Sequence, residues 1–356
     1  MAEVQEKAAR LADVAKAAGV SQGTVSNVFN RPEIVREEVR EHVRGVAKQL
    51  GYRGPDPKGR LLRAGKVNAI GIAASEPLDY FFTDPFAREL MRGISDECDA
   101  RGAGLSLVSA RNAEGLAWNV QSALVDGFVL LCIEGGERLV ELTRERQLPF
   151  VALALGRQDD TISAIGIDDF TAAKQAAQHL LDLGHRRFGV LALDYVDNRT
   201  GVVTEATLEG ATYSTTRDRT LGYFSALEAA GIRRDDVPVY ETANHKVGTI
   251  AGLQWMFEGS NPPTALLAMS DKVAIEAIEW VKGRGLSVPG DVSVVGFDGV
   301  PEAALAEPPL TTIAQPIAEI GRRAVQMILE PSPRIRRETL PTELVLRATT
   351  APPRRG

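Results

Sequence analysis

The sequence predicts an all-α head followed by an α/β body of two lobes, each a parallel sheet flanked by helices. Three observations carry this expectation. At 356 residues the chain exceeds the roughly 250 to 300 residues at which a single core stops growing, so it divides into two or three domains. Residues 9–50 are helical in pattern throughout, whereas from residue 67 to about residue 329 short β-branched runs alternate with amphipathic stretches, the pattern of βαβ units. Charge divides at the same place: residues 1–66 hold 13 Lys and Arg against 8 Asp and Glu, and the rest of the chain holds 28 against 39. The net charge of −6 therefore hides a basic head on an acidic body. Such a head either neutralises phosphates or is simply a solvated helical face.

Composition narrows the function classes. With 44% hydrophobic and 25% charged residues the chain is an ordinary folded protein, neither disordered nor fibrous. No run approaches the roughly 18 to 20 apolar residues that cross a bilayer, and the start carries Glu3, Glu6 and Lys7 with no leader pattern, so a cytoplasmic, membrane-free protein is expected. Cys98 and Cys132 fall in an expected helix and an expected strand, with neither metal-ligand spacing nor a disulfide framework. Phosphate-binding, dinucleotide-binding and nucleophile-elbow motifs are missing, so neither an enzyme nor a cofactor is expected.

The head begins with LADVAKAAGVSQGTVSNVFN, residues 11–30. Leu11, Val14, Ala15 and Ala18 form an apolar stripe at helical spacing, Gly19 permits a tight turn, and Val20 packs beneath it. Ser21 caps a second helix whose Val25 and Val28 face the first, leaving Gln22, Gly23, Ser26 and Asn27 outward. That is either a helix-turn-helix, whose second helix enters a major groove where Gln and Asn pair with base edges, or an ordinary αα-hairpin with a solvated face. A third helix over 37–50 turns Val39, Val43, Val46 and Leu50 inward. Residues 51–65, GYRGPDPKGRLLRAG, punctuate the chain as a linker. Beyond it, strands are expected over 69–73, 105–109, 127–132, 150–153, 188–193, 265–269 and 292–297, and helices over 85–101, 172–183, 219–230, 247–257 and 272–284. The polar, Thr-rich stretch 197–217 reads as a long loop or flap. The boundaries are a head at 1–53, a hinge at 54–66, a body at 67–350 and a disordered tail at 351–356.

The head resembles the DNA-binding domain of the LacI/GalR family of bacterial transcription regulators. Its pattern D-V-A-x-x-A-G-V-S-x-x-T-V-S-x-V-x-N runs unbroken from Asp13 to Asn30, and Leu50, Gly51 and Tyr52 follow. Ile167 with Asp168 and Asp169, Leu183 through Arg187, Arg219 with Gly222 and Tyr223, Ser270 with Asp271, and Phe297 with Asp298 continue the resemblance along the body. It implies a homodimer on pseudo-palindromic double-stranded operator DNA. Gln22 and Gly23 take the family's base-reading positions, and Ser21, Thr24, Ser26 and Asn30 its phosphate or groove-edge positions. Asn27 stands where many members carry arginine, and Gly23 has no side chain, so discrimination shifts onto Gln22 and Asn27. Arg10 and Arg36 replace the usual Thr and Ser caps, at about 1 kcal/mol each, so a loosely ordered free head is expected. The linker resembles the family's hinge helix, with Arg60 and Leu62 at its Arg and minor-groove Leu positions and Gly54 as an insertion. Pro57 and Gly59 weaken a helix there, and a plain flexible tether is the alternative.

The family's body resembles periplasmic sugar-binding proteins, whose two lobes close on a ligand. Carried over, Arg219, Ser270 and Asp298 become polar contacts to a small-molecule effector, Asp84 and Phe86 belong to the first lobe's wall, and His245 is a further wall candidate. Without the resemblance, the alternatives are a surface ion-pair arginine at Arg219 and a helix-capping role for Asp298. Ala154 stands where many sugar-binding members carry Asp, which argues against a simple sugar, although a sugar-like effector remains the expectation. His185 is expected to fix a helix-to-strand turn, and Asp168 and Asp169 to cap a helix. The expected function is a repressor controlled by its cleft ligand. The alternative is a soluble carbohydrate-binding receptor, which would have no use for residues 9–62. No leucine heptad follows the body, so nothing beyond a dimer is expected.

Overall fold

The computed structural model describes residues 9–54, 66–111, 113–131, 134, 136–153, 160–196, 199–330 and 332–354. Pro57, Gly59, Arg60, Leu62, Cys132 and Ala154 lie outside them. The chain divides into two compact units, Met1–Val67 and Asn68–Gly356. In the first, α1 (Leu11–Ala17), α2 (Gln22–Asn30) and α3 (Glu37–Gln49) close on one small core of Val14, Val25, Val28 and Val43, all fully buried, with Ala15, Ala18 and Ala47. Gly19 turns the chain at φ 65°, where a side chain would be strained. Neither Arg10 nor Arg36 supplies a side-chain cap, and Asp13 compensates in part by accepting from the Arg10 N–H at 2.8 Å.

One inward assignment in the head is corrected. Leu50 is 40% exposed. It is the C-cap residue just after α3, and Gly51 at φ 68° then folds the chain back so that the Tyr52 N–H donates to the Ala47 carbonyl at 2.8 Å. Tyr52 fills the place instead, edge-on to Phe29 with ring centres 5.5 Å apart.

The second unit holds two sheets. The strands β1 (Ala69–Ala74), β2 (Gly104–Ser109), β3 (Gly127–Leu131), β4 (Phe150–Leu153) and β5 (Ala164–Ile167) build the first lobe. The strands β6 (Phe188–Ala192), β7 (Gly201–Val202), β8 (Val239–Glu241), β9 (Ala265–Ala268), β10 (Ser293–Asp298) and β11 (Thr311–Ala314) build the second. The chain then returns to the first lobe for the helix Ile317–Leu329 and β12 (Arg337–Leu340), and ends in the second with β13 (Glu343–Val345). The sheet orders are β12-β5-β4-β3-β1-β2, all parallel, and β13-β11-β10-β9-β6-β8-β7, parallel except for β13 and β7 at its edges. Three crossings between lobes, near residues 168, 315 and 341, therefore link the two sheets. Central strands such as β3 and β6 are buried along their whole length, because helices cover both faces.

The expected strand and helix positions recur with ends shifted by a few residues, but β5, β8, β11, β12 and β13 were not anticipated, nor was the two-residue edge strand β7. None is longer than four residues, and they are held by pairing with other segments of the chain. The stretch 197–217 is also more ordered than a flap. Among its described residues β7 pairs with β8, Thr204 caps the short helix Glu205–Glu209, and Ser214 begins the long helix Ser214–Ala229. Its threonines are capping groups as much as loop residues. The tail is pinned as far as Arg354. Thr349 is fully buried and donates to the Val294 carbonyl at 2.7 Å, Ala351 pairs with Ser293, and Arg354 pairs with Asp291. His185, 1% exposed, holds the same segment: its Nε2 lies 2.9 Å from the Ala351 carbonyl and its Nδ1 3.0 Å from Thr264 Oγ1.

Candidate functional site

Two regions collect the functional candidates, one in each unit. In the head, burying Val25 and Val28 fixes which face of α2 points outward. Ser21, Gln22, Gly23 and Asn30 are exposed, and Thr24, Ser26 and Asn27 are half-buried. The Ser21 hydroxyl accepts from the Thr24 N–H at 3.0 Å and lies 2.9 Å from the Thr24 hydroxyl, so the start of α2 is capped and stiff. One turn on, the Asn30 amide donates to the Ser26 hydroxyl at 3.1 Å. Gln22 and Asn27 are left as the longest polar side chains on this face. Arg60 and Leu62 lie outside the described residues.

In the body, a cavity of ≈ 200 Å³ opens between the two sheets. Asp84, Phe86, Arg219, Ser270 and Asp298 all line it, and each of these polar side chains belongs to a residue no more than 6% exposed. The placement follows from topology, since lining residues sit at or just beyond the carboxyl ends of strands, where open α/β sheets leave their crevice. Asp298 ends β10, Ser270 follows β9, Asn244 follows β8 and Gln315 follows β11.

Arg219 is the electrostatic centre. Its Nε donates to Asp169 Oδ1 at 2.8 Å, its Nη1 donates to the Met269 carbonyl at 2.6 Å and lies 3.9 Å from Asp298, and its Cζ sits over the Phe297 ring, 3.7 Å from the ring centre. A desolvated cation over an aromatic face contributes about 2 kcal/mol. Burial works to lower the guanidinium's pKa, but Asp169 and then Asp298 outweigh it, so Arg219 is held charged. Asp298 is held above the ordinary carboxylate range by burial, against the pull of Arg219 and with the push of Asp271 and Asp84. It accepts from the Gln315 amide at 2.7 Å and has φ 114°, a strained backbone for a residue with a Cβ. Behind it, fully buried Asp271 accepts from the Gly299 and Val300 N–H groups and the Thr312 hydroxyl, and burial pushes its pKa to about 7.

Across the cleft, Asp84 caps the helix Pro85–Arg101 by accepting from the Phe86 and Ala87 N–H groups. Its other oxygen receives the Asn244 amide at 3.2 Å, and Ser270 donates to the Asn244 carbonyl oxygen at 2.9 Å, so one amide ties the two lobes together. Ala243 and Asn244 both have left-handed backbones, φ 52° and 49°, which aim that side chain.

His245 is not on the wall. Its Nδ1 accepts from the Gly248 N–H at 2.9 Å, capping the helix Lys246–Glu258, and the neighbouring Asn244 faces the cavity instead. Asp168 caps the helix Asp169–Asp182 through the Thr171 N–H, as expected, but Asp169 is the partner of Arg219 and not a cap. Sequence reasoning missed Asn244, Asp169 and Gln315 as lining residues. All three follow strands that the sequence pattern did not announce, β8, β5 and β11 respectively. Among the described residues no group of His, Cys, Asp or Glu is placed to hold a metal ion, and no helix is long and apolar enough to cross a membrane.

Comparison with known proteins adds to this geometry. Residues 10–54 match the family described as bacterial regulatory proteins, lacI family, and residues 177–350 match the periplasmic binding protein-like domain. An HTH-type transcriptional regulator of Mycobacterium tuberculosis is 38% identical over 365 residues, covering 99% of this chain and 100% of that protein. Among solved structures, the complex of the transcriptional regulator CelR with cellobiose is similar with a TM-score of 0.69 at 28% identity, covering 96% of this chain and 99% of that one. The lac repressor dimer bound to operator and the anti-inducer ONPF has a TM-score of 0.74 at 25% identity, covering 97% and 100%. With both of its units matched and a relative this similar along its whole length, the chain belongs to the lacI family of bacterial regulatory proteins: it is a DNA-binding transcriptional regulator, not an enzyme.

Proposed function

We propose that this regulator is a repressor that binds a pseudo-palindromic operator as a homodimer, with its DNA affinity set by a small sugar-like effector in the cleft. The observation that carries the reading is the division of α2 into a buried face of Val25 and Val28 and an outward polar face headed by Gln22 and Gly23. In this reading Gln22 and Asn27 contact base edges, and Ser21, Thr24, Ser26 and Asn30 contact phosphates or the groove edge. Residues 54–66, with Arg60 and Leu62, form the hinge. Arg219, Ser270, Asp298, Asp84 and Phe86 hold the effector, joined by Asn244 and without His245.

The dimer and the operator are supported by the lac repressor structure, and a sugar-like effector by the cellobiose complex. Two α2 helices related by a twofold axis meet two half-sites about 34 to 36 Å or a multiple of that apart, so the operator should be an inverted repeat. Selection of bound duplexes from a random library tests this: enrichment of an inverted repeat is expected, and sequence-blind retention would overturn the reading.

A further inference from the structure

We infer that Glu241, a buried carboxylate outside the cleft, is a positioning residue for effector binding: through Tyr195 and Arg199 it fixes the stretch of cleft wall formed by Leu193, Asp194, Tyr213, Thr215 and Thr216. This rests on the effector reading above and adds to it a residue that the effector does not touch. Those wall residues line the cavity, whereas Glu241, fully buried at the end of β8, is not among the described residues that line it. They fall on either side of an arm that includes residues 199–212, so the chain leaves the wall after Asp194 and rejoins it at Tyr213.

The two ends of the arm meet at Tyr195. Its N–H donates to Glu241 Oε1 at 2.6 Å, and the Val196 N–H reaches the same oxygen at 3.4 Å. Its carbonyl accepts from the N–H groups of Thr212 and Tyr213 at 2.8 and 3.2 Å. Its hydroxyl lies 2.5 Å from that of Thr220, which uses its single proton on the Thr216 carbonyl at 2.8 Å, so the tyrosine is the donor. Tyr195 and Thr220 are fully buried. Tyr195 thus joins Leu193 and Asp194, which precede it in the chain, to Tyr213 and Thr216 across the base of the arm.

The second oxygen of Glu241 faces Arg199 Nε at 3.4 Å, and the same guanidinium donates to the Thr207 hydroxyl at 2.9 Å and the Val202 carbonyl at 3.3 Å. The antiparallel pairing of β7 with β8 sets Gly201 opposite Glu241, which brings Arg199 to the carboxylate. An apolar anchor works at the middle of the arm, where Leu208 is buried in the second lobe's core with Val203 and Ala211 against it. That anchor holds the arm down and leaves its ends to the polar ties. A buried carboxylate is costly unless it is hydrogen-bonded and paired, and here two backbone donors and a guanidinium meet that need. Without the carboxylate the buried Tyr195 N–H loses its acceptor and the base of the arm loosens.

Glu241→Gln, which keeps the side chain's shape and removes its charge, and Tyr195→Phe, which removes only the hydroxyl strut, test the inference in the full chain. Wild type and both variants are titrated in thermal shift with cellobiose, ribose, glucose, galactose and fructose, and their backbone hydrogen exchange is mapped without sugar. The sugar that stabilises wild type should bind Glu241→Gln at least ~10-fold more weakly, and Tyr195→Phe by an intermediate amount, with faster exchange confined to residues 193–216 and sugar-free binding to the selected operator duplex unchanged. Equal sugar affinity in wild type and Glu241→Gln, or faster exchange spread over the whole body, would overturn the positioning role and leave the effector reading standing. If Glu241→Gln does not fold, Tyr195→Phe decides by the same readouts. Silence of wild type towards every sugar would remove the effector reading and the positioning role with it.

Discussion

At the level of single residues, the candidates that carry chemistry were legible where a residue type and its position coincide. Arg219, Ser270 and Asp298 lie in recognisable motifs, and all three line the cavity. Asn244 was not legible, because its position depends on two left-handed residues that no local pattern announces, and the adjacent His245 drew attention by its chemistry. Replacing Gln22 or Asn27 by Ala should relax operator preference by about 1 to 3 kcal/mol at particular base pairs while leaving non-specific binding intact, as measured across an operator library. Arg219→Ala should cost about 3 to 5 kcal/mol in denaturant unfolding, because it strands Asp169 and Asp298 as buried carboxylates without their cation. A loss below about 1 kcal/mol would mean that the pair is relaxed by water and that the centre of the site has been misassigned.

At the level of elements, caps and close approaches decide more than propensity. The helix starts marked by Ser21, Asp84, Asp168 and Ser270 each carry the side-chain cap that their residue types promise. The first helix lacks one, and Arg10→Ser, which would complete a capping box with Asp13, should add about 1 kcal/mol, read as slower hydrogen exchange in α1. In the body, the helices Pro85–Arg101 and Ile317–Leu329 cross so closely that a Cβ on Gly93 would lie 1.9 Å from the Ala318 carbonyl oxygen, and one on Gly321 would lie 2.6 Å from that of Leu90. The crossing was invisible in sequence, since the second helix was not anticipated and neither glycine marks a turn. Gly93→Ala should therefore destabilise the body by 1 to 3 kcal/mol or more, seen as a lowered denaturation midpoint.

At the level of the whole molecule, the two-unit division and the alternation of strands and helices were readable because they are periodic signals spread over many residues. The short edge strands and the three crossings between lobes were not, since they follow from pairings between distant segments. The crossings matter to function because both lobes contribute to one cleft. Protons belong to this scale too. Burial raises the Asp271 pKa from 3.8 to about 7, so the native state binds a proton where the unfolded chain has lost it. That contribution to stability is fully present below about pH 4 and is lost as pH rises towards 7. Melting temperature against pH, compared with Asp271→Asn, should show a wild-type advantage that shrinks over that window and then stays level, whereas parallel profiles would contradict it. The most direct test of the account joins both units: titrate wild type and Arg219→Ala onto a selected operator duplex and a scrambled one, with and without a sugar chosen from a thermal-shift screen because it stabilises the protein. The account predicts operator affinity at least ~10³-fold above scrambled duplex, shifted about 5- to 150-fold by that sugar in wild type alone. Equal affinity for the two duplexes, or a ligand shift that survives in Arg219→Ala, would contradict it.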